Sequence, residues 1–212
     1  MIKYIAVAMT VLFTTAVSAA EVIPYGTFNY KWSHDENASG VAYDKLEDNG
    51  SLIGVEVIDM GVEGDTILGF AKLEVGVDTD DSGSNTFDSR LAYVGMSANN
   101  VGDLSVGRQS HPFTDNVATT ASIFEVYGGS SSFSHGTRSS NSIAYSNTLG
   151  QITVDALGVV DGSSGKDGVD SYEWSATVDV VDGVSLSGGL AADEVNDIYY
   201  YGVGMNTSIS DD

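Results

Sequence analysis

Ser171-Tyr172-Glu173-Trp174-Ser175-Ala176-Thr177-Val178-Asp179-Val180-Val181 decides the fold. Tyr172, Trp174, Ala176, Val178 and Val180 share one parity, and Ser171, Glu173, Ser175, Thr177 and Asp179 share the other. A strand sends successive side chains to opposite faces, so this segment has one apolar and one wet surface. A helix would scatter the same residues around its circumference, and the strand reading wins.

The same period of two recurs along the chain. Ile152, Val154 and Ala156 alternate with Gln151, Thr153 and Asp155. Ile67, Ala71, Leu73, Val75 and Val77 alternate with a face carrying Lys72 and Glu74. Leu91 and Tyr93 alternate with Asp88 and Arg90, and Tyr199, Tyr201, Val203 and Met205 alternate with Tyr200, Gly202 and Asn206. With segments around 25–33, 51–58, 103–109, 141–147 and 184–192, the count reaches about ten strands. Asp59–Asp65, Ala98–Gly102, Thr148–Gly150 and Asp182–Gly183 are short connections. Those at His34–Gly50, Asp78–Thr86, His111–Ser139 and Asp161–Asp170 are long and polar. Loops sorted by length to two ends predict an all-β, up-and-down antiparallel transmembrane barrel. Its apolar face meets lipid, and Glu56, Glu74, Asp88, Asp155, Glu173 and Asp179 point into the lumen, because acids in hydrocarbon are costly. The competing reading is a soluble β-barrel or sandwich with the apolar face packed inward.

Met1 and Lys3, the apolar run Tyr4–Val17 and the small residues Ser18-Ala19-Ala20 predict a cleaved export signal over residues 1–20, cut after Ala19 or Ala20. The run is too short for a spanning helix, which needs about 20 residues. The barrel is expected over 21–212. The absence of cysteine removes disulfides and thiolate metal sites. Thirty acids against eight bases, a formal charge of -22, exclude a nucleic-acid partner, which requires clustered Lys and Arg.

His34, His111 and His135 lie apart in loops without ligand spacing, and no nucleophile elbow or phosphate loop appears. Serines near His135 occur by chance in a serine-rich loop, and a hydrolase has little support. Asp78-Thr79-Asp80-Asp81-Ser82-Gly83 opens like a calcium loop, but position twelve is Ser89 in place of glutamate. No cofactor, metal or enzymatic activity is expected.

Arg90-Leu91-Ala92-Tyr93-Val94-Gly95-Met96, followed by Gly102-Asp103-Leu104-Ser105-Val106-Gly107-Arg108-Gln109, resembles the general porins of Gram-negative bacteria. Ala20-Glu21-Val22, Tyr25-Gly26 and Arg138-Ser139-Ser140-Asn141-Ser142-Ile143-Ala144-Tyr145 extend the likeness. The resemblance implies a homotrimer of sixteen-stranded barrels in outer-membrane lipid, passing small hydrophilic solutes and ions. It implies a third loop, here His111 to about Arg138, folded into the lumen with its acids facing a basic wall. Phe124-Glu125-Val126-Tyr127-Gly128-Gly129 looks like the family's acidic stretch, with Glu125 one residue early and Asp115 as a second acid. Arg90, Arg108, Lys72 and Arg138 are the candidates for the wall. Leu52-Ile53-Gly54 lacks the base the family carries before that position, so the basic cluster is thinner. Ten strands, and an ending at Ser210-Asp211-Asp212 without a terminal aromatic, are expected of the N-terminal part of a longer porin. The lumenal acids predict a weak cation preference. The alternative is a secreted or surface β-protein acting as adhesin or scaffold.

Overall fold

A computed structural model describes residues 20–61, 64, 66–80, 86–121, 136–162 and 168–207; the export signal, Glu125 and His135 lie outside these. The strands are β1 (Glu21–Thr27), β2 (Tyr30–Glu36), β3 (Ala42–Asp48), β4 (Leu52–Met60), β5 (Ile67–Val77), β6 (Phe87–Ala98), β7 (Gly102–Ser110), β8 (Arg138–Leu149), β9 (Ile152–Val159), β10 (Ser171–Val181), β11 (Val184–Asp193) and β12 (Ile198–Thr207). A short helix, α1 (Pro112–Asn116), follows β7. Ten strands form one antiparallel sheet in the order β1-β4-β5-β6-β7-β8-β9-β10-β11-β12, with β1 and β12 at its edges among the described residues.

The expected ten-strand meander is present, with one addition and two changes of detail. The segment expected as one strand over 25–33 breaks between β1 and β2, where the Asn29 amide donates to Ser51 Oγ at 3.0 Å. The polar stretch expected as a loop contains the β2–β3 hairpin, paired from Tyr30↔Asp48 to Glu36↔Ala42. On β6 the expected parity fails at one point. Glu74 pairs with Leu91 but Val75 pairs with Ser89, so Arg90 is a bulge residue. An extra residue in a strand re-aims the side chains beyond it. Leu91 and Tyr93 therefore share the face of Glu74 and Lys72, where simple alternation put them opposite Arg90.

Burial runs inside out for a soluble protein. On β10, Trp174 is 50% exposed, while Glu173 and Ser175 are 2% and 1% exposed. On β12 the apolar-face residues Tyr201 and Val203 are 81% and 89% exposed. A soluble sandwich packs its apolar face inward; this sheet turns it outward in a continuous band, as a wall facing hydrocarbon does. The short turns use left-handed positions: Asn100 (φ 62°) before Gly102 (φ 109°), and Gly183 (φ 77°), whose missing Cβ permits the two-residue hairpin joining β10 to β11.

Candidate functional site

The third long loop, at the other end of the sheet, begins at β7 and returns at β8. Pro112 stands in the first turn of α1, where its missing amide proton costs nothing. From there the chain crosses the polar, inner face of β9–β12. Phe113, Val117 and Ala118 are buried together with Ala191 of β11, and Tyr200 of β12 packs against them. Two glycines make room. A Cβ on Gly204 would lie 2.5 Å from Thr120 Oγ1, and one on Gly202 would lie 3.1 Å from Val117 Cγ1. Any larger residue at Gly204 would force the Thr120 side chain to move.

Polar contacts hold the same segment. Glu173 of β10 accepts a hydrogen bond from the Phe113 amide at 3.0 Å and contacts His111 Nδ1 with its other oxygen. His111 Nε2 lies 2.7 Å from Ser139 Oγ on β8. The Asn116 amide donates to Asp155 Oδ2 at 2.9 Å and to Ser175 Oγ at 2.8 Å. Beneath the loop, Gln109 is buried and bridges Ser105 and Ser142.

The facing half of the inner surface carries charge in pairs. Lys72 Nζ lies 3.4 Å from Glu56 Oε2 and 5.1 Å from the centroid of the Tyr25 ring. Arg90 Nε donates to Glu74 Oε1 at 2.6 Å, and the Tyr25 hydroxyl donates to Glu74 Oε2 at 2.9 Å. Arg138 lies within electrostatic range of Arg90, Glu74, Asp115 and Arg108. A cavity of ≈ 420 Å³ separates this wall from α1, bordered by Lys72, Tyr93, Gln109, Asp115, Asn116 and Asp155. Asp115 opens into it; the surrounding protein desolvates its carboxyl and pushes its pKa up, against opposing effects of a Ser110 hydrogen bond and the Arg138 charge.

Of the residues singled out by sequence, Lys72 and Asp115 border this cavity, while Arg90 and Arg138 line a second one of ≈ 310 Å³ together with Asp48, Asp80 and Asp88. Arg108 stands apart: it pairs with Ala92 on the outward parity, and its guanidinium donates to Ser89 O and Ser140 Oγ, both at 3.3 Å. Glu125 lies outside the described residues. Sequence reasoning did not single out Tyr25, His111 or Asn116. The available signal was weak: His111 directly precedes Pro112 at the loop's root, a place where a side chain can reach the wall.

The chain matches the family model described as Gram-negative porin over residues 6–211. No curated protein matches it in sequence. Among solved structures, Salmonella typhi OmpF in complex with daunomycin aligns with a TM-score of 0.60 at 13% identity, over 82% of this chain and 54% of that one. A loop L8 deletion mutant of OmpT, an outer membrane protein of Vibrio cholerae, gives 0.62 at 16% identity, over 91% and 66%. A Rh. blastica porin carrying five substitutions gives 0.65 at 18% identity, over 91% and 71%. At these identities the likeness is one of fold. The chain spans about half the length of the OmpF chain it matches.

Proposed function

This chain belongs to the Gram-negative porin family, and from that premise we propose that it forms the wall of a passive outer-membrane channel for small hydrophilic solutes and ions. The observation that carries the reading is the reversal of polarity across the sheet: exposed apolar side chains outside, and inside charged pairs on β4–β6 with α1 laid across the facing strands. The reading includes export after cleavage at Ala19 or Ala20, residence in outer-membrane lipid and assembly as a homotrimer, as the family implies. It is a channel and not an enzyme, because diffusion through a wet lumen requires no reacting group.

The lumen prefers cations weakly. On the inner face Glu56 and Glu74 are offset by Lys72 and Arg90. Asp88, Asp103, Asp115, Asp155 and Asp179 share that face with Arg138 as the remaining arginine. Lys72, Arg90 and Arg138 are proposed as the basic side of the constriction, with Asp115, and Glu125 of the same loop, as the acidic side. Reversal potentials across a planar bilayer under a potassium chloride gradient test this. Cation preference is expected at low salt, where screening is least, and it weakens on acidification, with Asp115 among the first carboxylates to lose its charge. Anion preference at neutral pH overturns the selectivity, and absence of any conductance overturns the channel.

A further inference from the structure

We infer that Glu173 and His111 form a clamp that fixes the loop after β7 against the lumenal wall, which makes Glu173 a positioning residue for the width of the pore. The inference rests on the channel reading above only for its consequence, because the clamp itself is a matter of geometry.

Parity makes Glu173 a lumenal acid, available to passing ions. Its surroundings do not. Its side chain is 1% exposed, and both carboxylate oxygens face the loop: one takes the Phe113 amide proton and the other meets His111 Nδ1. His111 is 3% exposed and is held from its far side by Ser139. Its own amide donates to Thr137 O at 3.1 Å, and Thr114 Oγ1 donates to Gly136 O at 3.1 Å. Glu173 thus ties the entry of the loop to β10, while the same few residues tie entry to exit. The hydrogen bonds of Asn116 and the buried Phe113 continue the attachment toward β9 and β11.

Burial gives the clamp its strength. A carboxylate removed from water is stabilised only by partners that stay in place, and deleting one partner leaves the other desolvated. Displacing the loop exposes the Phe113 cluster and separates His111 from Glu173 in the same step. The loop is therefore held by a two-state contact, docked or released, rather than by a graded one.

Hydrogen-exchange mass spectrometry on the folded protein in detergent micelles reads this directly, since it does not need conduction. In E173A, amides of 111–120 are expected to exchange about a hundredfold faster, as for buried donors left without their acceptor. Peptides of β10 are expected to keep their wild-type protection. E173Q retains an acceptor for the Phe113 amide and is expected to recover much of the loss. If E173A does not reach the folded, heat-modifiable form, S139A provides the second test. It removes only the far partner of His111, and about tenfold faster loop exchange is expected. Loop exchange within about twofold of wild type in the folded variants overturns the clamp. So does equal loss of protection in β10, which makes Glu173 an ordinary strand residue. Single-channel recording then separates the two readings: a clamp without conductance defeats the channel alone, and a channel whose open current is as quiet in E173A as in wild type defeats the positioning role.

Discussion

The inner face of this sheet uses charge in two ways, and the difference lies in how much water each half keeps. On β4–β6, Glu56 and Lys72 remain 37% and 23% exposed, and Arg90 is 26% exposed beside Glu74. The partly exposed Glu56–Lys72 pair contributes about 0–1 kcal/mol, whereas Glu74, only 9% exposed, depends more on Arg90 and Tyr25. On β10–β12 the charge of Glu173 is enclosed by α1, beside a patch of Ala191 and Tyr200 that supplies the main apolar core of the described residues. There the loss of one partner leaves the other buried and unsatisfied, at about 1–3 kcal/mol. On the proposed channel reading, one half meets solutes and the other holds the element that narrows their path.

The largest effect that could break this contrast is at Phe113, which is fully buried. Phe113→Ala removes an aromatic ring from the core, a change worth about 3–5 kcal/mol. If the apolar half only docks the loop, the sheet still folds, loop exchange rises sharply and single-channel conductance increases. Collapse of strand protection along β9–β12 would show that the cluster holds the wall itself. Arg90→Gln sharpens the other half. It takes the strongest partner from Glu74, leaving the Tyr25 hydroxyl, at a cost of about 1–2 kcal/mol. The reversal potential is expected to shift toward cations with the loop's protection unchanged. No shift at all would mean that Glu74 takes up a proton once its arginine is gone, since the pair and the doubly neutral variant carry the same net charge.

The outward apolar band was legible in the sequence because period two survives any rearrangement that keeps strands paired: Trp174, Tyr201 and Val203 lie where alternation put them. Arg90 was legible as an inward base, but its neighbours were not. A bulge changes parity by one residue, and a count of alternating residues has no means to register it. The β2–β3 hairpin escaped for a related reason: Tyr30-Lys31-Trp32-Ser33 alternates as if it continued the first strand, and the break depends on a hydrogen bond to Ser51, distant in sequence. The clamp was least legible of all. Glu173 reads as one more wet-face acid, and its partner at His111 is 62 residues earlier (173 − 111). Only the path of the loop brings them together.

The smallest effect belongs outside both halves, at the base of the hairpin, and it serves as the control for them. Asp48 Oδ1 accepts the amides of Gly50 and Ser51 at 2.8 and 2.9 Å, and Oδ2 accepts from Thr79 Oγ1 at 2.9 Å. Hydrogen bonding, led by the Ser51 side chain, lowers its pKa to about 2. A carboxyl depressed by folding contributes fully above its ordinary value near 4 and loses that contribution as the pH falls toward 2. Exchange of the Gly50 and Ser51 amides, corrected for intrinsic rate, is therefore expected to quicken between about pH 4 and pH 2. A midpoint near 4 would mean that the turn does not hold the charge. The hydrogen bonds of this carboxylate stay within the hairpin base and Thr79, although it shares a cavity with Arg90 and Arg138. Asp48→Asn is therefore expected to loosen the hairpin, to leave open-channel noise unchanged and to move the reversal potential less than Arg90→Gln does. A change in noise, or a reversal potential moved as far as in Arg90→Gln, would tie the outer hairpin to the lumen and erase the separation between the surface that meets solutes and the surface that holds the loop.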